Sequence, residues 1–347
     1  MTTQTVLSIR EQADALAEAI IERQYALQPE IWKPYGSPGR AKSVRDARYH
    51  LEYLSEAVEA NEPELFTSYL AWVKALFAGL RFPDTVLPST LECTRRVLEE
   101  NLTEDRRLPA LKILDAGRNS LEEMSSAPAS LLDGDAPSDD LARRYLDALL
   151  SGNRLSASRM ILNAVDNGMS IKEVYLQVFQ RAQREIGRLW QVNRVSVAQE
   201  HYCTAATQLI MSQLYPHIFA GEKKGRALVA TCVGGELHEL GARMVADFLE
   251  LDGWDTHYLG ANTPTAGILG MVAERGAQAL AISTTMTFHL DQTRAVIAET
   301  RRSGLDAKII VGGYPFNLAP QLWKKVGADG YAADAQQAVA VVERLTA

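Results

Sequence analysis

The chain has 347 residues, 47% of them hydrophobic, with 43 acidic against 36 basic side chains and a formal net charge of −7. That length suits two or three domains, and the acidic balance argues against non-specific nucleic-acid binding and against a polybasic membrane patch. No apolar run reaches the roughly 20 residues of a membrane span, Met1-Thr2-Thr3-Gln4 lacks the charged-then-apolar start of a secretion signal, and the three scattered cysteines, Cys93, Cys203 and Cys232, exclude a disulfide framework or a paired-cysteine zinc site. A cytoplasmic protein with no membrane and no direct nucleic-acid partner is expected.

Residues 1–120 read as helical throughout. Ala47, Leu51, Leu54 and Val58 recur at helical spacing. Leu65, Tyr69, Trp72 and Leu76 form one apolar row, and Phe66, Leu70, Val73 and Phe77 form a second beside it, as in a helix buried inside a helical domain. Lys33-Pro34-Tyr35-Gly36-Ser37-Pro38-Gly39-Arg40 is rich in turn formers and reads as a loop. Residues 121–137 are small, polar and proline-rich and read as a linker. From 138 to 220 the pattern is helical again. Ser138 with Asp139 and Asp140 suits a helix start. Gly152-Asn153, Asn167-Gly168 and Gln191-Val192-Asn193 divide the stretch into about four helices, which short connections pack as an antiparallel bundle.

After the break at 221–225 the period changes. Residues 227–231, 256–259, 279–283 and 308–311 are short apolar runs, each followed by an amphipathic stretch. A weak strand at 330–333 precedes a final helix. Residues 225–347 therefore predict a parallel sheet covered by helices, and the fold class is multidomain, α followed by α/β. Polar and glycine residues gather at the predicted strand ends: Gly234-Gly235-Glu236-Leu237-His238-Glu239-Leu240-Gly241 after the first, Ser283-Thr284-Thr285 after the third, Gly312-Gly313-Tyr314 after the fourth. Such ends are where open α/β sheets bind ligands. The pattern is neither the GxGxxG fingerprint nor a phosphate-cradling Gly-Lys-Ser/Thr loop.

These residues resemble the cobalamin-binding domain of methionine synthase and its relatives, whose pattern is Asp-x-His-x-x-Gly, then Ser-x-Leu/Thr, then Gly-Gly. Here Glu236-x-His238-x-x-Gly241, Ser283-x-Thr285 and Gly312-Gly313 occur in that order, with Glu in place of the commoner Asp. The resemblance implies a flavodoxin-like sheet, with His238 replacing dimethylbenzimidazole as the lower cobalt ligand and the nucleotide tail threaded into the sheet. It also places Glu236, Leu237, Gly241, Ser283, Thr285, Gly312, Gly313 and Tyr314 around the cofactor. The chemistry agrees: a neutral imidazole is a good cobalt ligand, and a carboxylate on its other nitrogen fixes the tautomer. Glycines admit a close backbone approach, and the Ser283 hydroxyl can donate to a buried base. The other reading is an ordinary doubly wound domain with a surface histidine.

Two further resemblances sharpen the expectation. Trp190, nine residues before Glu200-His201, resembles the cap bundle of light-sensing cobalamin proteins, where the tryptophan covers the upper face and shields an adenosyl group. The light-dependent transcriptional repressors among them carry a histidine after the tryptophan; this chain has Gln191, which leaves His201 or water as the upper ligand after photolysis. The N-terminal segment resembles the globin-like domain of photocobilins, which pair cobalamin with biliverdin. Arg40, Arg45 and Arg48 would hold the propionates, Asp46 and His50 the pyrrole N–H groups, and Trp32, Tyr35, Tyr49 and Tyr53 would form aromatic walls. A solvated helix surface is the alternative for each. No cysteine lies in that cluster, so the bilin would be non-covalent. His217, His257 and His289 read as a helix end, a packed strand residue and a surface residue.

The resemblances together imply a photoreceptor without catalytic residues and not an enzyme. It would bind adenosylcobalamin and biliverdin, change its homo-oligomeric assembly when light breaks the cobalt–carbon bond, and signal to an unidentified partner. Two alternatives share the cobalamin motif: the corrinoid protein of a methyltransferase system, and a cobalamin sensor that does not use light.

Overall fold

The structure, a computed structural model, describes residues 2–134 and 136–347. Met1, at the predicted start, and Asp135, in the predicted linker, lie outside the described residues. The chain forms two compact units, Met1–Ser126 with Met286–Asp291 and Ala127–Thr285 with Gln292–Ala347. Among the described residues no helix is long and apolar enough to cross a membrane.

The first unit is helical: α1 Thr2–Glu11, α2 Ala13–Leu27, α3 Pro29–Trp32, α4 Gly36–Ala60, α5 Pro63–Gly79, α6 Val86–Asn101 and α7 Glu104–Asn119. Ala47, Leu51, Leu54 and Val58 are buried on α4, and Phe66, Leu70 and Val73 on α5, while Trp72 is exposed. The loop expected at 33–40 is instead a 3-10 turn, Lys33–Tyr35, leading directly into α4. Pro34 and Pro38 sit in first turns, where the missing N–H has no intrahelical partner to lose, so turn-forming composition does not prevent a helix there. Asn61, in the left-handed conformation, ends α4, and Pro63 opens α5.

In the second unit, residues 128–134 carry no helix or strand but are tied to the bundle. The Leu131 N–H and Ser130 hydroxyl donate to Glu185, and Arg143 donates to the Leu132 and Gly134 carbonyls. The bundle comprises α8 Pro137–Leu150, α9 Arg154–Asp166, a long third helix and α12 Val197–Gln213, with the short α13 Tyr215–Ile218 after it. The third helix is composite: α10 Ile171–Glu173, a π-helical stretch at Val174–Phe179, then α11 Gln180–Gln191. The first bundle helix starts one residue before Ser138. Asp139, one of the acceptors expected at this helix start, reaches back to accept the Ala136 N–H at 3.0 Å. The π stretch has no signature in hydrophobic spacing; Tyr175 and Phe179 within it are fully buried.

The sheet follows, with β1 Ala227–Cys232, α14 Leu240–Leu251, β2 Asp255–Tyr258, α15 Thr265–Arg275, β3 Ala279–Ser283, α16 Leu290–Arg302, β4 Lys308–Gly312, α17 Tyr314–Leu318, α18 Leu322–Val326, β5 Gly330–Tyr331 and α19 Ala335–Thr346. All pairings are parallel, in the order β2-β1-β3-β4-β5, the flavodoxin-like arrangement whose switch point lies beside β1 and β3. Cys232 pairs with Ser283, and Ser283 with Gly312. That register brings the ends of β1, β3 and β4 level on one edge.

Bundle and sheet share a core through α14. Met244 and Phe248 pack among Tyr175, Phe179 and Met211. Within it the Tyr175 hydroxyl donates to Asp247 at 2.7 Å, and Arg243 donates to the Gln208 carbonyl at 3.1 Å and the Ser212 hydroxyl at 2.8 Å. Burial pushes the Asp247 carboxyl from 3.8 up to about 6, against the opposing pull of Tyr175 and Arg243. The fold thus favours protonated Asp247. Its contribution to stability is full below about pH 4 and is lost as pH rises through about 6, a range worth about 3 kcal/mol at most. Urea unfolding of Asp247→Asn and the parent across pH 4–7 should show the variant gaining on the parent as pH rises; parallel curves would refute the assignment.

Candidate functional site

The loop between β1 and α14 carries His238, and one buried carboxylate shapes it. Glu236 is fully buried. It accepts from the His238 Nδ1 at 2.6 Å, the His238 backbone N–H at 3.0 Å and the Thr285 N–H at 2.8 Å. A buried carboxylate needs such donors to remain charged. The contact makes Nδ1 the protonated nitrogen and leaves Nε2 free on a side chain that is 58% exposed. The hydrogen bond to Glu236 holds the His238 pKa above its ordinary 6.5, against the effect of burial, and Glu200 adds to the rise.

His238 lines a cleft of about 710 Å³ between the strand ends and the bundle, a volume within the usual range for small-molecule sites. Trp190, Glu200, His201, Leu237, Gly241, Ser283, Thr285, Gly312, Gly313 and Tyr314 line the same cleft. Glu236, fully buried, does not itself line it. Leu237 is 71% exposed, an apolar side chain at the mouth. Ala230, Ala281 and Ile310 of the sheet, with Ala332 after β5 and Ala338 of α19, form an apolar recess, and among the described residues the Ser283 hydroxyl has no protein partner. On the bundle side, Glu200 accepts from Thr204 at 3.0 Å and meets His201 Nδ1 at 2.5 Å.

Gly313 has a reason of its own. Its φ is +110°, and a Cβ there would lie 2.0 Å from the Thr284 carbonyl oxygen. The glycine is required by the neighbouring strand end, besides any approach to a ligand.

Several lining residues escaped sequence reasoning. Gln180, Gln183, Arg184 and Gly187 share the cleft face of α11 with Trp190, and Thr204 faces them from α12. Their helical spacing from Trp190 and Glu200 is the signal that marks them. Glu239 accepts from Gln208 at 2.5 Å, Tyr258 at 2.9 Å and the Ala261 N–H at 3.0 Å, tying the His238 loop to α12 and to the end of β2.

The N-terminal candidates fall into separate groups. Trp32 is buried, stacks on Tyr25 at 5.1 Å and touches Tyr35 and Phe82. Arg40 pairs with Glu18 and Arg48 with Asp14; Arg45 is exposed. Burial raises the Asp46 pKa. His50 is buried, its Nδ1 2.7 Å from the Tyr69 hydroxyl, and burial lowers its pKa to about 4. Tyr53 stacks on Tyr69 at 3.7 Å, and Tyr49 packs on Phe288 of the same unit at 5.7 Å.

Comparison with known proteins adds the decisive finding. B12 binding domain families match residues 226–340 and 141–215. Dimethylamine corrinoid protein 3 of Methanosarcina mazei is 32% identical over 140 residues, 40% of this chain and 81% of that protein. The chain belongs to the B12-binding corrinoid proteins. The dimethylamine corrinoid protein of Methanosarcina barkeri is 34% identical over 140 residues, 40% of this chain; the match spans 64% of that relative, less than two thirds of its length. The solved monomethylamine corrinoid protein of M. barkeri shares the fold at 17% identity and a TM-score of 0.53, over 60% of this chain and 99% of that one.

The site fits a corrinoid. A carboxylate-held imidazole with a free nitrogen, an apolar recess among small residues and an unpartnered hydroxyl at its mouth suit cobalt and a buried nucleotide base. Glu236→Gln should weaken cobalamin binding on the order of 10–100-fold in absorption titrations. Binding by the parent should also fall as acid protonates His238, since only the neutral ring ligates. Parent-like affinity in the variant would show that Glu236 does not orient the ligand.

Proposed function

We propose that the protein is the corrinoid carrier of a methyltransferase system. His238 would hold the cobalt of cobalamin, the apolar recess would take its nucleotide base, and the loaded protein would be presented to a partner enzyme. The observation that carries this reading is His238, its Nδ1 committed to buried Glu236 and its Nε2 free at the cleft. Kinship with methylamine corrinoid proteins supports the carrier role over the alternatives, and makes methylated amines the first methyl donors to test. Bound cobalamin would supply a cobalt–carbon bond for group transfer. The protein's residues bind and orient: Glu236 keeps His238 in one tautomer, Ser283 donates to the buried base, and the recess excludes water from it. On this reading the protein is a carrier and not itself an enzyme.

A second reading is favoured by Trp190 and the Glu200–His201 pair on the bundle side of the cleft. A large aromatic ring suits an adenosyl upper ligand. The protein would then be a light sensor. Its N-terminal helices would be globin-like and hold biliverdin, and its homo-oligomeric assembly would change on illumination to signal to a partner.

The readings separate on reconstitution of the full chain with methylcobalamin and adenosylcobalamin, with and without biliverdin, and on measurement of mass in the dark and after green light. Equal retention of both corrinoids and a mass indifferent to light support the carrier. Selective retention of adenosylcobalamin with a light-driven mass change supports the sensor. Mass changes driven by cobalamin in the dark indicate a sensor that does not use light. A red-shifted biliverdin band that survives gel filtration is required for the bilin part. In either case His238→Ala should lose the imidazole-ligated spectrum and about tenfold or more in affinity; an unchanged spectrum would remove the lower-ligand assignment.

A further inference from the structure

We infer that Gly187 fixes the height of the upper half of the cobalamin cleft, and so the bulk of the upper ligand the protein accepts. The inference rests on cobalamin occupying the cleft, and the upper ligand it points to is the one the second reading requires.

Helix α11 turns one face to the cleft and one to the core. Ala182, Glu185 and Ile186 are buried, whereas Gln183, Arg184, Gly187 and Trp190 line the cleft. At helical spacing Gly187 lies in the middle of the lining stripe, with Gln183 and Arg184 one turn before it and Trp190 one turn after. Glycine is a poor choice within a helix, because it leaves the backbone more freedom to lose than any other residue. The usual structural reasons for it do not apply. Gly187 does not adopt a positive φ, and a Cβ built on it meets no atom within 4 Å. Neither an unusual backbone nor a close-packed neighbour calls for the missing side chain. The space is open and belongs to the cleft.

The surroundings indicate what that space holds. Trp190, Gln183, Thr204 and Glu200 all line the cleft; Gln183 donates to the Cys203 carbonyl and Thr207, and Thr204 donates to Gln183 and Glu200, so beside the aromatic face this wall presents acceptor oxygens. A methyl group uses none of these polar partners. A group the size of a nucleoside, with a flat base and sugar hydroxyls, uses both kinds. Gly187 leaves room for such a group between helix and corrin, and any side chain at 187 would project into that room.

The test uses the full chain and its Gly187→Ala and Gly187→Leu variants, with hydroxocobalamin and adenosylcobalamin titrated by absorption. Without corrinoid, both variants should unfold at the parent's temperature or above it, as expected where a glycine serves no folding purpose. Gly187→Leu should bind adenosylcobalamin about tenfold or more weakly while keeping hydroxocobalamin within about twofold, with Gly187→Ala between parent and Leu. Equal losses for both corrinoids, no loss for either, or a lower unfolding temperature in Gly187→Ala would each overturn the inference. A parent that binds neither corrinoid would instead defeat the cobalamin reading itself, an outcome distinct from failure of the Gly187 variants.

Discussion

The candidate site depends on a carboxylate with no access to water. Glu236 is fully buried, and a charge in that position must be met by donors or neutralised. Its donors come from distant parts of the chain. His238 supplies its ring and its backbone N–H, and Thr285 supplies a backbone N–H from beyond β3. One side chain therefore welds the loop after β1 to the end of β3, selects the imidazole tautomer and turns the other ring nitrogen outward. The parallel register of β1, β3 and β4 makes this possible, because it brings the ends of these strands level.

The bundle is held over the same edge by a second polar arrangement. Tyr175 projects from the π-helical stretch to Asp247, and Arg243 reaches the carbonyl of Gln208 and the hydroxyl of Ser212. Buried polar contacts add little net stability, but they penalise every packing that leaves one of them unpaired. Together with the buried Tyr145–Thr207 contact, they fix where α11 and α12 lie against α14. Since α11 bears Trp190 and Gly187, and α14 begins beyond His238, the spacing between the two walls of the cleft follows from these contacts. Glu239 adds a third tie, from the histidine loop itself to Gln208.

The N-terminal unit uses its polar residues differently. Arg40 and Arg48 are engaged with carboxylates of α2, and His50 with the hydroxyl of Tyr69. Exposed ion pairs of this kind contribute little to stability, and arginines so paired remain accessible to a stronger anionic partner. The buried His50–Tyr69 contact is another matter: it belongs to the aromatic packing of the unit, where burial keeps the imidazole neutral.

Much of this was legible in the sequence. Helical spacing marked the N-terminal unit and the bundle, the change to short apolar runs marked the sheet, and the motif from Glu236 to Gly241 with Ser283 and Gly312-Gly313 marked the cofactor edge. These are local signals, set by spacing along one element or by residues confined to one loop. Tertiary structure decided the rest, because it depends on residues distant in sequence. Composition took residues 33–40 for a loop, yet helix geometry accommodates prolines in first turns. The demand for glycine at 313 comes from a carbonyl at 284, the environment of His50 from a tyrosine nineteen residues away, and the π-helical stretch from no periodicity at all. Gly187 is the clearest case: in the sequence it is an unremarked glycine in a helix, and only the open cleft beside it shows that its missing side chain leaves space for a ligand.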